Sequence, residues 1–126
     1  KPIIAHPEFI PFLGDNPALL AELVRLGARA QVTAMTVTGD FGKPAQELAL
    51  RFIHDGLAHF IASDAHTPDW RPPGLGAARR FVAERWDDAL ATRLTVDNPR
   101  AVLADTTVAP DPFAPLETGP EPVSPL

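Results

Sequence analysis

Short apolar segments alternate with helical patterns over the first half of the chain, and this alternation most constrains the fold. Three segments are expected to form strands, at residues 2–5, 30–34 and 58–63. Two helices are predicted between them, at residues 17–26 and 44–55. An Asn-Pro pair begins the first helix, and a glycine follows each of the two. Alternation of this kind indicates βαβ units, and therefore an α/β fold with a parallel sheet.

A polar loop is expected at residues 36–42, between the second and third strands, and another at 64–73, after the third. Further along the chain we expect helices at about 74–85 and 87–92, a last strand at Leu94–Val96, and a short helix from Asn98 to Ala104. Beyond residue 104 the periodicity is lost and prolines recur at Pro110, Pro112, Pro115, Pro120, Pro122 and Pro125. We therefore expect one domain over residues 1–104 and a disordered or extended tail over residues 105–126.

Composition excludes several classes of function. The formal net charge is −5 and no basic stripe is present, which argues against nucleic-acid binding. The absence of cysteine excludes disulfides, zinc–thiolate sites and cysteine nucleophiles. No apolar run approaches the ~18 residues of a membrane span. These properties fit a cytoplasmic protein.

Two predicted strands end in side chains that can bind metal. The third strand runs into Asp64 and His66, and the first stops at His6. Carboxylate and imidazole together suit Mn, Fe or Zn. Because parallel strands present their carboxyl ends at one edge of the sheet, we expect these three side chains to converge there. Alternatively, Asp64 caps a turn, His66 is a solvated loop residue and His6 is half-buried and satisfied.

The backbone and the neighbours of these residues add further candidates. Pro7 is expected to hold His6 in an extended conformation, so that its ring projects from the strand end. Glu8 could accept a hydrogen bond from a metal-binding side chain, although the sequence is equally consistent with an acid on the surface. Arg71, held by two prolines, suits a phosphate oxyanion, whereas a solvent-exposed loop arginine is the alternative.

Two more residues are candidates for the lining of a substrate pocket. Gln31 lies on a strand face, where it could orient water or ligands or simply hydrogen-bond inside the fold. Trp70, next to the candidate arginine, could form one wall of a pocket for a ring, and loop packing explains it equally well.

Taken together, these motifs resemble the bacterial tyrosine-protein phosphatases of the polymerase-and-histidinol-phosphatase (PHP) superfamily, the capsule and exopolysaccharide regulators of the CpsB/CapC type. The resemblance covers residues 1 to about 104. It rests on the segments Ile3-Ile4-Ala5-His6-Pro7-Glu8, Gln31-Val32-Thr33-Ala34, Gly39-Asp40-Phe41-Gly42, His59-Phe60-Ile61-Ala62-Ser63-Asp64-Ala65-His66, Arg71-Pro72-Pro73 and Asn98-Pro99.

The resemblance implies a distorted, TIM-like (β/α) barrel with a manganese cluster, or another divalent metal, at its rim. It implies hydrolysis of phosphotyrosine in a protein, expected to be a cytoplasmic bacterial tyrosine kinase that controls polysaccharide synthesis. His6, Asp64 and His66 match metal ligands of the family, and Arg71 matches an arginine that contacts phosphate. An oligomer is compatible with this reading.

Two departures from the family pattern matter. Position 9, where an arginine normally follows the His-Pro-Glu motif, is Phe9. Phe9 therefore becomes packing or a wall of the substrate pocket. The His-x-His pair and further acidic and histidine ligands of the family's N-terminal half have no counterpart among these residues. We therefore expect the chain to correspond to the C-terminal half of a phosphatase and to be inactive in isolation.

Two other functions stay open at this point. One is a different PHP phosphoesterase acting on a small molecule such as histidinol phosphate. The other is a non-catalytic half-barrel that binds a partner through its Pro-rich tail. Substrate profile separates the first from the tyrosine phosphatase, and metal content separates the second.

Overall fold

Three short parallel strands form the sheet in the computed structural model, which describes residues 1–106 and 108. The strands are β1 (Ile3–Ala5), β2 (Arg29–Thr33) and β3 (Phe60–Ala62), in the order β1-β2-β3. Ile4 is in register with Ala30, and Val32 with Ile61. The predicted parallel α/β architecture is therefore confirmed.

The remaining regular elements of the described chain are helical. They are a 3₁₀ turn (Pro7–Phe9), α1 (Pro11–Asp15), α2 (Pro17–Arg25), α3 (Ala34–Val37), α4 (Lys43–His54), α5 (Gly76–Arg85), α6 (Asp88–Thr92), a π-helical turn (Arg93–Asp97) and α7 (Asn98–Leu103). The helices α1 and α2 connect β1 to β2, and α3 and α4 connect β2 to β3. Each crossover therefore returns the chain to the same end of the sheet, so that the three strands run parallel.

Both crossovers use the same signal to end a helix and begin a strand. Gly27 and Gly56 follow α2 and α4 with φ of 108° and 73°, a region that only glycine adopts at little cost. At each site the next residue donates its N–H back into the last helical turn, Ala28 to the Leu23 carbonyl and Leu57 to the Phe52 carbonyl. These Schellman motifs satisfy helix-end carbonyls and redirect the chain into β2 and β3.

The core lies between the sheet and the helices. Ala30, Val32 and Ile61 are buried on the strands. The helical residues that share this core are Leu13, Leu20, Ala21, Ala34, Val37, Ala49, Phe52, Ile53, Ala78, Val82, Leu90, Ala91 and Leu94. The buried residues of α4, which are Ala49, Phe52 and Ile53, recur at helical spacing on one face of the helix, and burial of this face fixes its orientation.

Three local predictions were wrong. The expected loop at 36–42 overlaps α3, and the expected strand at Leu94–Val96 is a π-helical turn. Leu94 of that turn is fully buried and the turn contacts β3, so a helical segment fills this part of the core. Asn98, expected as a helix cap, has helical backbone angles, and its amide instead donates to the His59 carbonyl at 2.8 Å.

The described residues form a three-stranded sheet and not a closed barrel. The predicted tail, residues 105–126, lies outside the described residues except for Asp105, Thr106 and Val108. Within the described part of the chain, no helix has the length and apolar character needed to cross a bilayer.

A buried histidine joins the start of β3 to its neighbours. The His59 backbone N–H donates to the Ala30 carbonyl at 2.8 Å, and the His59 ring Nδ1 accepts from the Ala30 N–H at 3.2 Å. The contact therefore requires a neutral ring. Burial, aided by the positive charge of Arg29, lowers the pKa of His59 from 6.5 to about 4.

This lowered pKa predicts a loss of stability in mild acid. The unfolded chain takes up a proton near pH 6.5 while the folded chain resists until about pH 4, so the free energy of unfolding should fall through that window by about 3 kcal/mol. Urea denaturation as a function of pH measures it. The variant His59→Asn keeps an acceptor and removes the titration, so its profile should be flatter. The matched control is His54→Asn, at a side chain that is 69% exposed. An equal acid loss in His59→Asn and the unaltered chain would contradict the assignment.

Candidate functional site

The carboxyl ends of the three strands meet at one edge of the sheet, and we call this the carboxyl edge (the ends at Ala5, Thr33 and Ala62). The chain continues from β1 into His6 and from β3, through Ser63, into Asp64. The His6 N–H donates to the Gln31 carbonyl at 2.7 Å, which ties the end of β1 to β2. Parallel pairing therefore brings together residues that are far apart in the sequence.

The backbone at His6 differs from the expected extended conformation. His6 has φ 37° and ψ 62°, which is left-handed, and it precedes the 3₁₀ turn that Pro7 begins. The expectation from proline was wrong here. The strand must turn back at once, and the His6 carbonyl accepts the Phe9 N–H at 2.9 Å to close that turn. Asp64 is also left-handed, with φ 50°. Strained backbone at a non-glycine residue is frequent in functional sites.

The loop after β3 orients the second histidine. His66 Nδ1 lies 2.7 Å from the Asp64 carbonyl oxygen. Donation from Nδ1 to that carbonyl leaves the Nε2 lone pair of His66 available to a ligand. The His66 N–H also donates to the Arg71 carbonyl at 3.0 Å, and Thr67 and Arg71 form an antiparallel bridge. The loop is therefore closed by its own backbone.

An ion pair joins Asp64, the candidate metal ligand, to Arg71, the candidate phosphate-binding residue. Arg71 Nη2 donates to Asp64 Oδ2 at 2.7 Å, with side chains 16% and 30% exposed. The guanidinium carbon of Arg71 also lies 5.1 Å from the centre of the Phe41 ring and 5.7 Å from that of Trp70. Cation–π contacts at these distances stabilise a fixed position of the guanidinium. Arg71 is therefore a half-buried and oriented cation, not a solvated loop arginine.

These side chains line one open cavity of about 390 Å³. The lining residues are His6, Phe9, Phe41, Asp64, His66 and Arg71. Five of the six were singled out from the sequence. The other three sequence candidates do not line it: Glu8 is buried, Gln31 contributes its carbonyl to His6, and Trp70 packs against Arg71.

The donor atoms are of the types that bind a divalent metal, but they are too few to complete its coordination. His6 Nδ1 is buried without a hydrogen-bond partner among the described residues, and the position of His66 presents Nε2. Asp64 shares its carboxylate with Arg71. Within residues 1–106 and 108, no three His, Asp or Glu side chains come close enough together to hold a metal ion. The cavity thus offers nitrogen and oxygen donors without a complete coordination shell.

Glu8 does not line the cavity, but it links two of the segments that lead into it. Its carboxylate accepts the Thr33 N–H at 3.0 Å, which links the 3₁₀ turn to the end of β2. Burial raises the pKa of Glu8, and the hydrogen bond from the Thr33 N–H only partly opposes this effect. Glu8 therefore holds the two strand ends together at an electrostatic cost.

Phe41 is the cavity residue that sequence reasoning missed as a site residue. It lies in a turn between Gly39 and Gly42, whose φ angles are 90° and 97°. The positive φ of Gly39 favours glycine, and a Cβ there would also lie 3.2 Å from the Gln46 side-chain amide, which would have to shift slightly. Two glycines three residues apart, flanking an aromatic residue after a strand, were the available signal.

Comparison with known proteins identifies the family. The family model described as "Capsular polysaccharide synthesis, CpsB/CapC" matches residues 1–104. The chain belongs to the CpsB/CapC family. Among curated proteins it is 34% identical over 116 residues to the tyrosine-protein phosphatase YwqE of Bacillus subtilis, covering 92% of this chain and 45% of that relative. It is 32% identical over 112 residues to the tyrosine-protein phosphatase CpsB of Streptococcus pneumoniae, covering 85% of this chain and 46% of that relative.

A solved structure agrees with the family assignment. It is described as that of YwqE from Bacillus subtilis and CpsB from Streptococcus pneumoniae, "unique metal-dependent tyrosine phosphatases". The TM-score is 0.84 at 34% identity, over 92% of this chain and 47% of that one. The chain thus spans a little under half the length of these CpsB/CapC relatives.

The buried carboxyl of Glu8 predicts opposite effects for two substitutions. Because its pKa is raised in the folded chain, the stability contributed by its protonated form is lost as pH rises from 4.5 through the folded pKa. Glu8→Gln removes that charge and keeps an oxygen for the Thr33 N–H, so the free energy of unfolding at pH 7 should be unchanged or up to roughly 1 kcal/mol higher. Glu8→Ala leaves the N–H unsatisfied and should cost on the order of 1–3 kcal/mol.

Chemical denaturation of the metal-free chain at pH 7 measures both variants. Glu47→Gln, at a side chain 56% exposed on α4, is the matched control and should change little. If Glu8→Gln is as destabilising as Glu8→Ala, the negative charge itself is stabilising and the stated role of burial is wrong.

Proposed function

We propose that the protein containing this chain is a metal-dependent tyrosine-protein phosphatase that acts in capsular or exopolysaccharide synthesis. Membership of the CpsB/CapC family and the names of the curated relatives support this function. The observation that carries it is the single cavity in which His6, Asp64 and His66 lie with Arg71. Metal donors beside a fixed guanidinium are what a phosphate monoester requires.

We assign His6, Asp64 and His66 as ligands of a cluster of manganese, or of another divalent metal, shared among its ions because the three side chains do not gather around one point. When bound, the metal would polarise the phosphoryl oxygens and make water a better nucleophile. His66 would bind through Nε2, because its Nδ1 is engaged with the Asp64 carbonyl. Asp64 would offer the oxygen that Arg71 does not occupy. This donor set is incomplete for a metal cluster, and we propose that further ligands come from the part of the family fold that this chain does not cover.

Arg71 is assigned to the substrate phosphate. Its Nη2 is held by Asp64, and its Nε is buried without a hydrogen-bond partner in the described part of the chain. The guanidinium lines the cavity and carries more N–H donors than Asp64 occupies, so it can donate to the phosphoryl oxygens and to the charge that develops on them. Because position 9 is Phe9 and not arginine, Arg71 carries the larger share of this binding.

We further propose the setting of the reaction. The substrate is a phosphotyrosine protein, a bacterial tyrosine kinase, in the cytoplasm. The three-stranded sheet is part of a distorted (β/α) barrel of the PHP type, supported by the parallel strand order and by a site at the carboxyl ends of the strands. Aryl-phosphate hydrolysis is then a property of the complete barrel and not of the isolated chain.

Metal binding by the purified chain tests the ligand assignment. We expect weak binding of Mn²⁺, lowered about tenfold or more by Asp64→Asn or His66→Gln because each removes a ligand. Arg71→Ala should strengthen binding, since it removes a cation paired with Asp64. Isothermal titration measures all three, with Asp69→Asn in the same exposed loop as the matched control. Equal affinities for the unaltered chain, Asp64→Asn and His66→Gln would exclude a metal at this cavity.

Hydrolysis by the complete protein tests the role of Arg71. The variant Arg71→Ala should lower kcat/KM on a phosphotyrosine peptide by about 10²-fold or more, as loss of a donor to the transition state does. The control is Arg80→Ala, an exposed arginine on α5 that lies outside the cavity. No loss in Arg71→Ala would remove the phosphate-binding assignment. Faster turnover of histidinol phosphate than of the peptide would point to a small-molecule phosphoesterase.

A further inference from the structure

Two phenylalanine rings form an apolar wall of the cavity. The rings of Phe9 and Phe41 are 5.6 Å apart between centres and nearly perpendicular, at 75°. The Phe9 ring also lies 6.0 Å from the ring of His6, tilted by 60°. Edge-to-face pairs of this kind are favourable beyond the area they bury. The wall therefore has a defined geometry, although its two residues are 32 positions apart (41 minus 9).

Phe9 is not a core residue. Its exposed fraction is 42%, whereas the phenylalanine of the core, Phe52, is fully buried. The exposed face of Phe9 lines the cavity. An aromatic side chain in the wall of a cavity offers apolar contact area to a bound group, as the apolar lining of ligand sites does.

One part of the cavity wall is polar and the other is apolar. His6, Asp64 and His66 supply nitrogen and oxygen donors, while Phe9 and Phe41 supply the apolar surface. Arg71 joins the two parts, because its guanidinium pairs with Asp64 and lies 5.1 Å from the centre of the Phe41 ring. A phosphate held by the guanidinium therefore has its ester group next to aromatic surface.

We propose that Phe9 and Phe41 form a subsite for the aromatic ring of an aryl phosphate, and that Phe9 makes this protein selective for aryl over alkyl phosphomonoesters. The inference rests on the proposed function and names the feature of the substrate that this chain recognises. Phe9 cannot supply charge to the phosphate, but it offers a ring edge or face to an aromatic group. Selectivity is then set by ring contact, and phosphate binding is left to Arg71.

Non-hydrolysable ligands separate ring binding from catalysis. In the complete, Mn²⁺-loaded protein, isothermal titration with phenylphosphonate and methylphosphonate gives the ratio of their affinities. We expect phenylphosphonate to bind about tenfold or more tightly, and Phe9→Leu to lower that ratio about three- to tenfold, since leucine keeps apolar volume and loses the ring contact. Phe9→Tyr retains a ring and should restore most of the ratio.

The matched control is Phe12→Leu, the same substitution at a phenylalanine on α1 that is 61% exposed and lies outside the cavity. Phe41→Leu is a weaker test, because it also removes the contact with Arg71.

The outcomes distinguish this subsite from the proposed function. If methylphosphonate binds and the ratio is the same in Phe9→Leu as in the unaltered protein, the aromatic subsite is wrong and the phosphatase proposal stands. If neither phosphonate binds, both are wrong. If the ratio depends on Phe9 but no phosphomonoester is hydrolysed, the subsite stands and the phosphatase proposal fails.

Discussion

Parallel alignment of the three strands is the constraint on which the site depends. Because each crossover returns the chain to the same edge, the ends of β1 and β3 lie on either side of β2. Two hydrogen bonds fix that arrangement, from the His6 N–H to the Gln31 carbonyl and from the Thr33 N–H to Glu8. At the opposite end of β3, His59 bonds to Ala30 of β2. Hydrogen bonds therefore fix the strands at both ends of the sheet, and the carboxyl end also carries His6, Asp64 and His66, which line the cavity.

The pair of Arg71 and Asp64 connects the two chemical tasks assigned to the cavity. A partly buried ion pair is costly to desolvate, and its geometry must be good to offset that cost. Here the guanidinium is also held between two aromatic rings, Phe41 and Trp70, so that its position is set before any ligand arrives. Preorganised charge of this kind is the main means by which active sites stabilise developing charge. The Asp64 carboxylate lines the same cavity as the donors His6 and His66, so the ion pair and the candidate metal ligands share one space.

Local signals in the sequence were sufficient for the architecture. The alternation of strands and helices predicted the parallel sheet, and Gly27 and Gly56 marked helix ends because only glycine adopts their left-handed angles at little cost. Strand-end side chains predicted most of the cavity, since residues that follow parallel strands share an edge. The clearest failure was Leu94–Val96, a Leu-Thr-Val segment that suits a strand or a helix equally, and the surrounding core decided between them.

The sequence by itself determined the alternation of the three strands with helices, the parallel sheet and the polar residues at its carboxyl edge, because each follows from backbone preference and periodicity within a few residues. Only the tertiary structure decided that His6 is left-handed, that Asp64 pairs with Arg71, and that Phe9 meets Phe41 across the cavity. These features depend on the turn that each strand end must make and on packing between distant segments. No local pattern records such contacts, since their energy exists only when the sheet has brought the segments together.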